Sequence, residues 1–156
     1  MKVRASATAV AEKLARDFLT RVWGPQHDVD AIDELMTADY VLHSGGKTSR
    51  GRDAFKAWIV EFQRVMPEAV DEVLDVFASP SGDRVCARWI NRGKNNGVFG
   101  LPPDGRPVEF HGISVYRVRD GRLSECWVER EAPKYQARLT HAKRRTGQPA
   151  RQTDIA

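Results

Sequence analysis

Residues 108–130 read Val108-Glu109-Phe110-His111-Gly112-Ile113-Ser114-Val115-Tyr116-Arg117-Val118-Arg119-Asp120-Gly121-Arg122-Leu123-Ser124-Glu125-Cys126-Trp127-Val128-Glu129-Arg130. Side chains alternate in character along 108–118 and again along 123–130, which is the period of a strand with one buried face. Between the two runs, Asp120-Gly121 supplies the pair of residues that a tight two-residue hairpin needs, because both must accept positive φ. The stretch is therefore a β-hairpin. Moving toward the N-terminus, Pro102-Pro103-Asp104-Gly105 and Pro80-Ser81-Gly82-Asp83 punctuate two further strands, 84–92 and 70–77. Gly97-Val98-Phe99 is expected to extend the 84–92 strand or to interrupt it at a bulge.

The first half has a different period. Val10, Leu14, Phe18 and Val22 recur every four residues, with Ala11, Ala15 and Leu19 beside them, and predict a helix over 8–23. Gly24-Pro25 ends it. Asp28 is placed to cap a short second helix that buries Val29, Ile32, Leu35 and Met36. Tyr40-Val41-Leu42-His43 reads as a short strand that ends at Gly45-Gly46. A third helix starts near Gly51-Arg52-Asp53, turns Phe55, Trp58, Ile59, Phe62 and Met66 inward, and closes at Pro67. Tyr135 to Ala142 is expected to form a short closing helix. Helices followed by a run of strands predict an α+β domain in which the helices cover one face of a strongly curved antiparallel sheet. Such a cone encloses a pocket suited to a small molecule.

Composition narrows the function classes. Of 25 basic and 21 acidic side chains, six and one respectively fall in residues 134–156, leaving 19 and 20 in the rest. The net charge of +4 is thus a property of the C-terminal tail; a run such as Lys143-Arg144-Arg145 could touch nucleic acid or an anionic surface, but a solvated C-terminus is the expected reading and nucleic acid is not an expected partner. No apolar run approaches the length of a transmembrane helix. The N-terminus lacks the pattern of a secretory signal, and the two cysteines, Cys86 and Cys126, form no Cys-x-x-Cys motif, so a reducing cytoplasm is expected. The four histidines lack metal-ligand spacing. Gly45-Gly46-Lys47-Thr48 lacks the upstream glycine and the following helix of a phosphate-binding loop. The expected domain spans 1–139, with a basic tail over 140–156.

Several segments, taken in order, resemble the SnoaL-like polyketide cyclases and ester cyclases of the nuclear-transport-factor-like superfamily. They are Phe18 to Trp23, Asp28 to Leu35, Ala38 to Ser44, Gly51 to Lys56 and Met66-Pro67-Glu68. The most specific is Gly97-Val98-Phe99-Gly100-Leu101-Pro102-Pro103-Asp104-Gly105-Arg106, which runs into the hairpin quoted above. The resemblance covers 10–139. It implies a cone-shaped α+β barrel, a homodimer formed through the sheet, and acid–base chemistry without metal or organic cofactor on a hydrophobic, oxygenated small molecule, in the manner of a cyclase, isomerase or lyase. Relatives of this fold also open epoxides or bind ligands without catalysis, and both remain as alternatives.

Cyclases of this type carry a histidine and an aspartate two apart on the last strand, and Cys126 and Val128 stand there in this chain. Ser114 matches a polar position on the preceding strand, Gly112 is its pocket-facing neighbour, and Leu42 replaces the polar residue before His43. The catalytic candidates are therefore His43, Glu129 and Arg130. His43 sits at a strand end, beside the expected cavity mouth. A bulge would turn Glu129 inward, where burial raises its pKa; without one it points outward with Glu125, Trp127 and Glu131. Arg130 shares parity with Cys126 and Val128 and can hold an oxyanion inside the barrel or an ion pair at its rim. Trp58, Phe62 and Trp89 are placed to stack on a flat ligand or to pack the core. Tyr40, Tyr116 and Ser114 are placed to orient ligand oxygens. His111 is expected to face away from the pocket.

Overall fold

The computed structural model describes residues 5–131. The expected closing helix over 135–142 and the basic tail lie outside them.

Helix α1 spans Ala7–Asp17, and the Ser6 hydroxyl caps it by accepting from the Ala9 N–H. It runs without a break into a widened π-type turn over Phe18–Val22. That turn brings Phe18, Leu19 and Val22 together into the core. Gly24 follows the segment at a point where only glycine fits, because a Cβ there would lie 1.9 Å from the Thr20 carbonyl oxygen. The Asp28 carboxylate accepts from the Ala31 N–H at the head of α2, Ala31–Leu35. Helix α3, Arg52–Val65, buries Phe55, Ile59 and Phe62.

Six strands form one curved sheet in the order β2-β1-β6-β5-β4-β3. They are β1 (Met36–Ser44), β2 (Lys47–Arg50), β3 (Val70–Ala78), β4 (Arg84–Lys94), β5 (Pro107–Arg119) and β6 (Arg122–Arg130). The hairpin from β5 to β6 turns at Asp120 (φ 52°) and Gly121 (φ 70°), the two positive values that its sequence predicts. Burial alternates along all of β5, with Val108, Phe110, Gly112, Ser114 and Tyr116 inward.

Three details correct the expectations. The sheet is not wholly antiparallel: β1 and β6 pair in parallel, with Leu42 opposite Cys126 and His43 opposite Trp127. Beyond Gly45-Gly46 the chain turns back as β2, whose residues are all exposed, so no apolar alternation announces it. Residues 98–100 form a short 3-10 turn rather than an extension of β4, and Phe99 there adopts φ 54°.

Candidate active site

The helices and the inner face of the sheet bound a cavity in which about 40 Å³ is open to the centre of a water molecule. It is a narrow slot rather than a chamber. Phe18, Trp23, Phe55, Trp58 and Phe62 supply its helical wall. Their rings meet in a chain: Trp23 to Phe62 at 5.4 Å, Phe62 to Trp58 at 5.4 Å and Trp58 to Phe55 at 5.9 Å. The sheet contributes Trp89 and Phe110, 6.0 Å apart. Gly112 makes room for Trp89, since a Cβ there would stand 2.3 Å from the indole. Trp89 Nε1 donates to Ser114 Oγ at 3.0 Å, which fixes the ring's orientation.

The polar groups gather on the sheet side. Asp71, at the start of β3, lies directly opposite Asn91 of β4. Asn91 Nδ2 donates to Asp71 Oδ1 at 2.6 Å. The Asp71 backbone N–H donates to the Trp23 carbonyl, which ties this strand start to the segment after α1. Asp71 keeps some accessible surface and opens on the cavity, but protein surrounds its carboxyl. Burial pushes its pKa up to about 7, while the Asn91 hydrogen bond and the Arg130 charge pull the other way. Arg130 lines the same cavity with its guanidinium carbon 5.5 Å from the centre of the Trp58 ring, a cation–π contact.

Tyr40, Tyr116 and Cys126 complete the polar side. Burial raises both phenols well above their ordinary value and holds the Cys126 thiol at about 12. Cys126 is thus a protonated thiol at neutral pH, not a nucleophile. The Tyr40 hydroxyl faces it and has no partner of hydrogen-bonding geometry among the described residues.

The sequence-based candidates divide cleanly. Tyr40, Trp58, Phe62 and Trp89 line the cavity, as do Ser114, Tyr116, Cys126, Val128 and Arg130. His43 and Glu129 do not. β1 points Leu42 inward, so His43 lies on the outer face and not at a cavity mouth. There its Nε2 donates to Glu125 at 2.8 Å, its Nδ1 meets the Thr48 hydroxyl at 3.0 Å, and its ring stacks on Trp127. No bulge falls near Glu129, which is paired with Ile113, exposed, and borders a second, more open hollow on the outer face with Arg88 and His111. His111 faces outward, as its parity predicts.

Asp71 and Asn91 escaped the sequence reading. Asn91 continues the inward series Val85, Ala87, Trp89 on β4, so a polar residue on an apolar face was the available signal. Asp71 gives less notice. A register shift between Val73 and Asp75 breaks the parity of β3, and counting back from Val76 puts Asp71 on the wrong face.

The sequence model of the SnoaL-like polyketide cyclases matches residues 13–132. The chain belongs to the SnoaL-like polyketide cyclase family. Among solved structures, a candidate SnoaL-like polyketide cyclase from Jannaschia sp. CCS1 superposes with a TM-score of 0.72 over 96% of this chain and 100% of that one, at 19% identity. IdmH of Streptomyces antibioticus, described as a candidate polyketide cyclase, gives 0.66 at 25% identity over 83% and 98% of the two chains. TsrD of Streptomyces laurentii gives 0.69 at 20% identity over 94% and 98%. A pathogen-related protein of Hordeum vulgare is 46% identical over 48 residues, 30% of this chain but only 20% of that protein's length. The solved structures share this chain's α+β fold of a curved sheet with N-terminal helices. Among the described residues, no group of three or more His, Cys, Asp or Glu side chains could hold a metal ion, and no helix is long and apolar enough to cross a membrane.

Proposed function

We propose that this SnoaL-like protein is an enzyme that moves a proton on a small, largely apolar carbonyl compound, leading to ring closure or isomerisation, with Asp71 as the acid–base group. One observation carries the reading: a carboxyl inside an aromatic cavity, held by Asn91, with its pKa raised to about 7. A group that is half ionised at neutral pH both takes and returns a proton efficiently. A carboxyl used only for packing would cost stability with no return, which argues against a purely passive binding protein.

In this reading the Asp71 carboxylate takes a proton from the carbon beside a carbonyl. The C–H electron pair becomes the enolate, whose oxygen is stabilised by the Arg130 guanidinium. In ring closure the enolate carbon forms a new C–C bond to a second carbonyl of the same molecule, and Asp71 gives its proton to the resulting alkoxide. In isomerisation the proton returns to a different carbon. Nothing is oxidised or reduced, and the step calls on no metal or organic cofactor. The aromatic wall excludes water and holds the substrate flat. His43 and Glu129 take no part in these steps.

The test is exchange of the α-protons of 1-tetralone in D2O. The wild-type protein should accelerate it, and Asp71→Asn should lose about 100-fold or more. An Asp71→Asn protein with wild-type exchange removes the assignment. The protonated half of Asp71 also suits donation to an epoxide oxygen, and Asp71-dependent opening of indene oxide without tetralone exchange would favour that second reading.

The outer face of the sheet supports a homodimer. Phe77, Ile113, Val115 and Trp127 are all exposed there, a cluster that a second copy would cover. Light scattering should give twice the chain mass, and a monomer would rule the dimer out.

A further inference from the structure

Buried polar atoms almost always have partners, so the exceptions inside a cavity indicate what a ligand brings. Asn91 is 2% exposed and lines the cavity. Its carboxamide has two ends. A carboxylate only accepts, so Nδ2 faces Asp71, and that end is occupied. The other end, Oδ1, is buried and accepts from no group among the described residues. Across the ladder from Asn91, on the side away from Asp71, stands Phe110, whose side chain carries no donor. The indole N–H of Trp89, on the same face of β4, is committed to Ser114.

Tyr40 presents the converse case. Its hydroxyl belongs to a residue only 1% exposed, lines the same cavity, and faces a thiol, which is a weak acceptor. The cavity thus offers one unsatisfied acceptor beside Asp71 and one poorly satisfied donor beside Cys126. A ligand that answers both carries a hydroxyl near the carbon from which the proton is taken and an acceptor oxygen elsewhere on the same frame.

We propose that Asn91 is the specificity-determining residue of this site: Nδ2 holds Asp71 while Oδ1 accepts a hydrogen bond from a substrate hydroxyl, so the protein selects hydroxylated ring ketones over their deoxy counterparts. The proposal deepens the reading of Asp71 as the acid–base group, because one carboxamide spans the carboxyl and the substrate and sets their spacing. Sites built to hydrogen-bond a hydroxyl reject the analogue that lacks it far more strongly than apolar pockets reject an extra methylene, since the unpaired buried atom is then left without a partner.

The experiment measures binding, not turnover. Full-length protein is titrated with 1-tetralone and with its 2- and 4-hydroxy derivatives, whose hydroxyls lie on the α-carbon or two carbons from it, followed by quenching of the tryptophans that line the cavity. At least one hydroxy isomer should bind about 10-fold or more tightly than 1-tetralone. In Asn91→Leu that ratio should fall to about one. If Asn91→Leu does not give a folded protein by circular dichroism, Asn91→Ala serves the same purpose. Equal affinities in the wild type, absence of binding by every hydroxy isomer, or a preference that survives loss of Asn91 would each overturn the proposal. The last result would mean that a water satisfies Oδ1. Asp71-dependent exchange of tetralone without hydroxyl preference sinks this proposal alone. Hydroxyl preference with exchange indifferent to Asp71 sinks only the acid–base assignment.

Discussion

Replacing Asp71 by asparagine keeps the shape of the side chain and its contact with Asn91, and removes only the ionisation. The structure sets the size of the effect. The unfolded carboxyl ionises near its ordinary value of 3.8 and the folded one near 7. Between these values the folded protein holds a proton that the unfolded chain has released. Stability from this group is therefore fully present below about pH 4, falls as pH rises through the window, and levels off above about pH 7. A shift of about three pH units at about 1.4 kcal/mol each gives about 4 kcal/mol. The partial accessibility of Asp71 lowers this to about 2–4 kcal/mol. The carboxylates held by surface ion pairs act in the opposite direction, so the useful quantity is the difference between variant and wild type at each pH. Urea unfolding followed by tryptophan fluorescence at pH 4 and pH 8 measures it. Asp71→Asn should be close to wild type at pH 4 and more stable by about 2–4 kcal/mol at pH 8. A difference that stays constant within about 0.5 kcal/mol between the two pH values would refute the claim that burial holds this carboxyl protonated.

Other outcomes follow from the same geometry. Gly112→Ala drives a Cβ into the Trp89 indole at 2.3 Å, so it should displace the ring from Ser114 and lower stability by about 1–3 kcal/mol, read as a lower Tm and altered tryptophan fluorescence. At pH 8 iodoacetamide should leave Cys126, whose thiol is buried and held at about 12, unmodified until the chain unfolds, as peptide mass spectrometry will show. The Arg119 guanidinium on Asp39 holds that carboxyl down to about 2, and an NMR titration of Arg119→Gln should find it returned toward its ordinary value.

Much of the fold was legible because its signals were local. The four-residue recurrence of Val10, Leu14 and Phe18, the Asp120-Gly121 turn and the strict alternation of β5 each depend on residues near one another in the chain. The parity of β6 put Cys126 and Val128 inside with Arg130 on the same face, and the bulge that Glu129 needed to turn inward does not form beside it. The failures are long-range or irregular. β2 forms only because β1 offers it an edge, and its four exposed residues carry no pattern of their own. Nothing near His43 shows that the parallel pairing of β1 with β6 turns it toward Glu125 rather than the cavity. Asp71 is hidden by a register shift two residues further along its own strand. A bulge leaves little trace in a sequence, yet it decides which face a carboxyl occupies.

The acid–base role of Asp71 stands or falls on the ionisation of its carboxyl. A carbon-13 NMR titration of the side-chain carboxyls of the full-length protein, with the Asp71 signal assigned by its loss in Asp71→Asn, reports that ionisation without any substrate. The midpoint is expected near pH 7. A midpoint near the ordinary value of 3.8 would mean that the carboxyl is solvated and already ionised, and that the cavity holds no acid–base group matched to neutral pH.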